Sequence, residues 1–119
     1  MKNWYGWIIE QSLDNLSVFK KYLTLKMKSE EDDWKEHIIE IPETEIANIV
    51  FWLERHLKDS WYAHLVKDNK LIVIYKNKNF KLNIDSSFNE VTEYGRSQHI
   101  PEKQLPAVSL FDLARESGY

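Results

Sequence analysis

A chain of 119 residues with 43% hydrophobic and 29% charged residues has the make-up of one folded domain, and three glycines and three prolines exclude collagen-like or Pro/Gly-rich disordered sequence. No apolar run approaches the ~20 residues a membrane-spanning helix needs, and the first residues lack the apolar stretch of a secretory leader. Zero cysteine removes disulfides, thiolate metal sites and cysteine nucleophiles, which makes a cytoplasmic location the expectation, and a net charge of −3 argues against a duplex-binding surface.

Trp4–Ile9 is aromatic and β-branched, apolar on both faces, and is predicted as an interior strand. Ser12–Ser17 is turn-rich. In Tyr22–Lys28, Leu23, Leu25 and Met27 alternate with Thr24, Lys26 and Lys28, the pattern of a half-buried strand. Glu30–Asp33 reads as a charged turn, and Trp34–Ile41 as the returning strand of a hairpin. Pro42 stands where a helix begins, with Glu43 and Glu45 complementing its dipole. Ile46, Ile49, Val50, Leu53 and Leu57 then form one apolar stripe, and Arg55, His56 and Lys58 gather at the end.

Trp61–Lys67 and Leu71–Tyr75 are predicted strands around Asp68-Asn69, a pair that tolerates positive φ. After a turn at Asn77–Asn79, Phe80, Leu82 and Ile84 mark a sixth strand, completing a three-stranded meander. Ser87–Glu90 has the pattern of a capping box opening a second helix toward Gln98. The tail beyond Pro101 carries Leu105, Leu110, Phe111 and Leu113, apolar enough to dock on another surface. The order β-β-β-α-β-β-β-α predicts a single α+β domain over residues 1–119, with one antiparallel sheet, helices on one face and a ferredoxin-like arrangement or a variant of it.

Trp61-Tyr62-Ala63-His64, the Asp68-Asn69 hairpin, Phe80, Tyr94-Gly95 and Ile100-Pro101-Glu102-Lys103-Gln104-Leu105 together form a pattern. It resembles a family of small bacterial and archaeal proteins of about this length, over residues 61–105 and in outline before them. That family has glycine before the isoleucine-proline pair, where this chain has His99, and before the tryptophan, where it has Ser60. The resemblance implies a shared fold and brings no substrate with it.

Strand alternation puts Tyr62 and His64 on one face and Trp61, Ala63 and Leu65 on the other. Trp61, Tyr62 and His64, with Tyr94 and His99 from the second helix and the loop after it, are the candidate ligand-binding residues, since small-molecule sites combine aromatic walls with few polar groups. The competing structural reading makes Trp61 a core anchor and His64 a half-buried packing residue. His37, His56, His64 and His99 show no metal-ligand spacing, so no metal site is expected. Three glycines cannot build a phosphate cradle, and no nucleophile motif or cofactor fingerprint occurs.

Residues 30–45 hold eight carboxylates against Lys35, whereas residues 67–81 hold five lysines against Asp68. These are solvated edges, or complementary patches through which one copy meets another. The composite expectation is a non-catalytic binding module that recognises a second copy, a protein partner or a small ligand, with no cofactor and no membrane. The apolar tail favours association. Two alternatives stand beside it: a small enzyme using Tyr62, His64, Tyr94 and His99, and a weak single-strand nucleic-acid surface near Phe80 and Lys81, against which the charge balance speaks.

Overall fold

The computed structural model describes residues 3–29, 34–116 and 118–119. Its strands are β1 (Trp4–Ile9), β2 (Leu23–Ser29), β3 (Lys35–Ile41), β4 (Tyr62–Lys67), β5 (Lys70–Tyr75) and β6 (Lys78–Asn83). Its helices are α1 (Val18–Lys21), α2 (Ile46–His56), α3 (Asn89–Ser97) and α4 (Ser109–Glu116), with single 3-10 turns at Glu10–Ser12, Glu43–Glu45 and Glu102–Gln104. All six strands join one sheet in the spatial order β2-β3-β1-β4-β5-β6, and every neighbouring pair is antiparallel.

This is the α+β architecture expected from the sequence. The run β1-α1-β2-β3-α2-β4, with β3 and β1 central, is the split β-α-β topology of ferredoxin-like domains. The meander then extends that four-stranded core by β5 and β6. Two helices depart from the expected order: α4 lies in the expected tail, and the turn-rich segment before β2 contains α1. Val18 is buried there, and Leu13 bridges to Leu57 and closes the segment over the core.

The helices cover both faces of the sheet, not one. On the first face, α2 lays Ile49 and Leu53 over Ile8, Ile39, Leu65 and Ile74. On the second, Val91 of α3 and Phe111 and Ala114 of α4 pack with Trp7, Ile38, Val73 and Tyr75. The physical reason is the strand composition. β1 and β5 are apolar on both sides, so a one-sided cover would leave Trp7, Val73 and Tyr75 in water, where each forfeits roughly 1.5–3 kcal/mol of burial.

The tail is therefore an internal element. Phe111 is 1% exposed, and Leu105, Leu110 and Leu113 pack against the second face. Its apolar residues are spent within the chain and no longer argue for association. β2 also differs from expectation. It is an edge strand with a register shift between Thr24 and Lys26, so that Leu23, opposite Glu40, and Met27, opposite His37, fall on different faces, and they are 62% and 56% exposed. Ser87 accepts from the Asn89 backbone N–H at 3.3 Å, but the helix starts at Asn89, one residue later than a capping box opened by Ser87 requires.

Within the charged segments, Lys67 of the basic run reaches Glu43 of the acidic run at 2.8 Å in the same molecule, and the Trp4 indole N–H also donates to Glu43 at 2.6 Å. Glu45 pairs with Lys21 at 3.3 Å. The expected charged turn at residues 30–33 lies outside the described residues. Among the described residues, no helix is long and apolar enough to cross a membrane.

Candidate functional site

β1 and β4 pair so that Trp7 stands directly opposite His64. Both point to the second face, where their rings stack 5.2 Å apart and parallel to within 8°. Tyr62, two residues before His64, shares this face at 6.5 Å from the imidazole. Trp34, just before β3, meets Trp61 edge-on at 4.8 Å. These five rings line a cleft of about 580 Å³, within the range typical of small-molecule sites. The loop after α3 contributes Ile100 and Gln104, and α4 contributes Leu110 and Leu113. Charged residues of the lining are Lys28, Glu36 and Lys103.

Two polar atoms of the lining residues stand out. Trp7 is 2% exposed and His64 5% exposed, and neither the indole Nε1 nor the imidazole Nε2 has a hydrogen-bond partner. No other fully buried side-chain nitrogen or oxygen among the described residues lacks one. Burying a donor without a partner costs about 1–3 kcal/mol, so folded chains rarely leave two such atoms side by side. Burial also pushes the His64 pKa down to about 3, so the imidazole is neutral at physiological pH.

Tyr62 is the contrasting case. Its hydroxyl donates to the Gln104 carbonyl at 2.8 Å, which ties β4 to the loop after α3, and burial raises its pKa to about 12, with the Glu36 carboxylate adding to the shift. Neither Tyr62 nor His64 titrates near neutrality, so neither is poised as a general acid or base.

No protein-family model, no curated protein and no solved structure matches this chain.

Three of the five candidate residues, Trp61, Tyr62 and His64, meet at the cleft. The other two do not line it. Tyr94 lies over the β5–β6 end of the same face, 4.9 Å from the Tyr75 ring and 5.5 Å from Phe80. His99 takes φ 65 at the corner after α3 and faces solvent. The four-residue constellation of the enzyme alternative is thus not assembled. Phe80 is half-buried beneath Tyr94, and Tyr75 is 1% exposed, so the meander presents no row of free aromatic faces for bases to stack on.

Trp7, Trp34 and Glu36 were not candidates from the sequence. The one signal that could have placed Trp7 is parity: Tyr5, Trp7 and Ile9 share a face of β1 as Tyr62 and His64 do of β4, and the strand register brings the two sets together. The remaining histidines are held elsewhere. His37 bonds Glu10 at 2.7 Å and stacks on Phe19 at 3.9 Å, and His56 bonds Asp14 at 2.7 Å at the end of α2. Among the described residues no cluster of His, Asp or Glu could hold a metal ion.

Proposed function

We propose that the protein is a non-catalytic binding module for a small molecule, seated in the cleft between β1, β3, β4 and the connection from α3 to α4. The observation that carries it is the pair of buried, unpartnered nitrogens on Trp7 and His64, two residues that line a cleft of about 580 Å³. A structural histidine buried beside a structural tryptophan would be expected to find a carbonyl or hydroxyl, as Tyr75 does by donating to the Val91 carbonyl at 2.9 Å. A ligand with complementary polar atoms removes the penalty on both nitrogens at once, a stabilisation specific to the bound state. The cysteine-free composition supports a cytoplasmic setting for such a module.

A thermal-shift screen against a metabolite library tests this, with wild type and His64→Phe run in parallel. The expected result is at least one compound that raises the wild-type melting temperature and leaves that of His64→Phe unmoved. A library without hits, or hits that shift both proteins equally, overturns the proposal.

A further inference from the structure

Building on the ligand-site reading of this same cleft, we propose that its ligand is an uncharged planar heterocycle presenting a lactam edge, a ring carbonyl beside a ring N–H, to Trp7 and His64. Shape comes first. Five of the lining side chains are flat rings, and the cleft is large enough for a bicyclic or tricyclic ring system. Flat aromatic walls favour a flat ligand, because stacked and edge-on contacts add to the burial of apolar area.

Polarity decides the edge. The Trp7 indole nitrogen is a donor only, so it calls for an acceptor on the ligand. His64 is neutral, and its Nε2 accepts a hydrogen bond when the proton sits on Nδ1. Cross-strand pairing stacks the two rings 5.2 Å apart, so one ligand that reaches this wall of the cleft meets both residues. A carbonyl next to an N–H supplies one acceptor and one donor in that order.

Charge narrows it further. Trp7 and the neutral His64 offer no positive charge at the buried end of the cleft, and a carboxylate or phosphate placed there would lose its hydration without an ionic partner. Among the charged lining groups, Lys28 stands opposite Glu36 in the β2–β3 register and is offset by it, and Lys103 is exposed, where water screens its charge.

Three bicyclic probes of matched size separate these features: isoquinolin-1-one with a lactam edge, naphthalene with no polar atom, and 1-naphthoate with a negative charge. Each is titrated into the full-length chain, followed by tryptophan fluorescence and by the indole N–H resonances, that of Trp7 being assigned by its loss in Trp7→Phe. Isoquinolin-1-one is expected to bind at least tenfold more tightly than either comparator and to shift the Trp7 indole N–H. His64→Phe, which keeps a ring on Trp7, should weaken it by tenfold or more. If 1-naphthoate or naphthalene binds as well as the lactam, or the lactam binds without moving the Trp7 signal, the ligand class is wrong while the cleft remains a ligand site. If none of the three binds and the metabolite library is also silent, both proposals fall together.

Discussion

Gly95 of α3 lies so close to the Tyr75 hydroxyl that a Cβ built on it would stand 2.9 Å from that oxygen. The oxygen has little freedom to retreat, since Tyr75 is 1% exposed and donates to the Val91 carbonyl one turn earlier in α3. Leu105 is nearer still, at 2.8 Å, but its methyl can swing aside. In an exposed helix Gly→Ala gains about 1 kcal/mol of helix propensity. Here overpacking should outweigh that gain. Gly95→Ala is expected to lose about 1–2 kcal/mol of stability in chemical denaturation, and a more stable variant would show that α3 is not seated on β5 through this glycine.

His64 gives the opposite kind of prediction. His64→Phe removes a buried nitrogen that has no partner and keeps a ring to stack on Trp7. Relief of an unsatisfied buried polar group is worth about 1–3 kcal/mol, so the variant should be more stable than wild type by roughly 1–2 kcal/mol after imperfect fit of the larger ring. Gains of this sign mark positions kept for function at a cost in stability. A urea midpoint for His64→Phe below that of wild type would instead identify the imidazole as a structural group.

Much of the fold was legible because local patterns and tertiary demands agree. The two-sided apolar run Trp4–Ile9 became the interior β1, and the stripe through Ile49 and Leu53 became the buried face of α2. The same evidence also implied cover on both faces, since Leu71, Val73 and Tyr75 alternate with Ile72 and Ile74, all buried. α1 left little trace, because four residues with one buried side chain carry no periodicity. Half-burial of β2 failed because the register shift between Thr24 and Lys26 breaks the alternation that would have kept Leu23 and Met27 on one face. At the cleft, parity along one strand was enough to put Tyr62 and His64 together. Trp7 and Trp34 arrive through strand register, which sequence alone leaves open. Tyr94 and His99 were chosen as a phenol and an imidazole near the second helix, but α3 carries Tyr94 toward Phe80, and the corner after it turns His99 outward.

Two corners of the chain hold ordinary residues in left-handed backbone, Ser60 at φ 68 and His99 at φ 65. Asp68 and Asn77 do the same at φ 53 and 63, in the two hairpin turns, but Asp and Asn adopt this region readily. Serine has less to offset the clash of its Cβ, which costs about 1–2 kcal/mol, whereas glycine loses about 0.5–1 kcal/mol through the entropy of the unfolded chain. Ser60→Gly should therefore stabilise by about 0.5–1 kcal/mol, and His99→Gly by less, because histidine is itself enriched at such positions. Thermal unfolding of the single variants measures this directly. Destabilisation of Ser60→Gly by more than its uncertainty would mean that the serine side chain makes a contact worth more than the strain.

The buried imidazole also sets a pH dependence. His64 has its pKa lowered from 6.5 to about 3 in the folded chain, by burial. Below pH 6.5 the unfolded chain therefore takes up a proton that the folded chain refuses. Stability from this group is fully present above pH 6.5 and is lost progressively as the pH falls toward 3. At 1.36 kcal/mol per unit, moving from pH 7 to pH 5 should remove about 2 kcal/mol through His64 alone. Other groups titrate over the same interval, so the informative quantity is the difference between proteins. His64→Phe should lose about 2 kcal/mol less than wild type between pH 7 and pH 5, measured by urea unfolding at each pH. A saturating ligand that accepts no charge from His64 should leave the slope of the wild type in place and raise the whole curve. Parallel pH profiles for wild type and His64→Phe would mean that the folded imidazole protonates as freely as in water, and the neutral, buried partner of Trp7 would have to be abandoned.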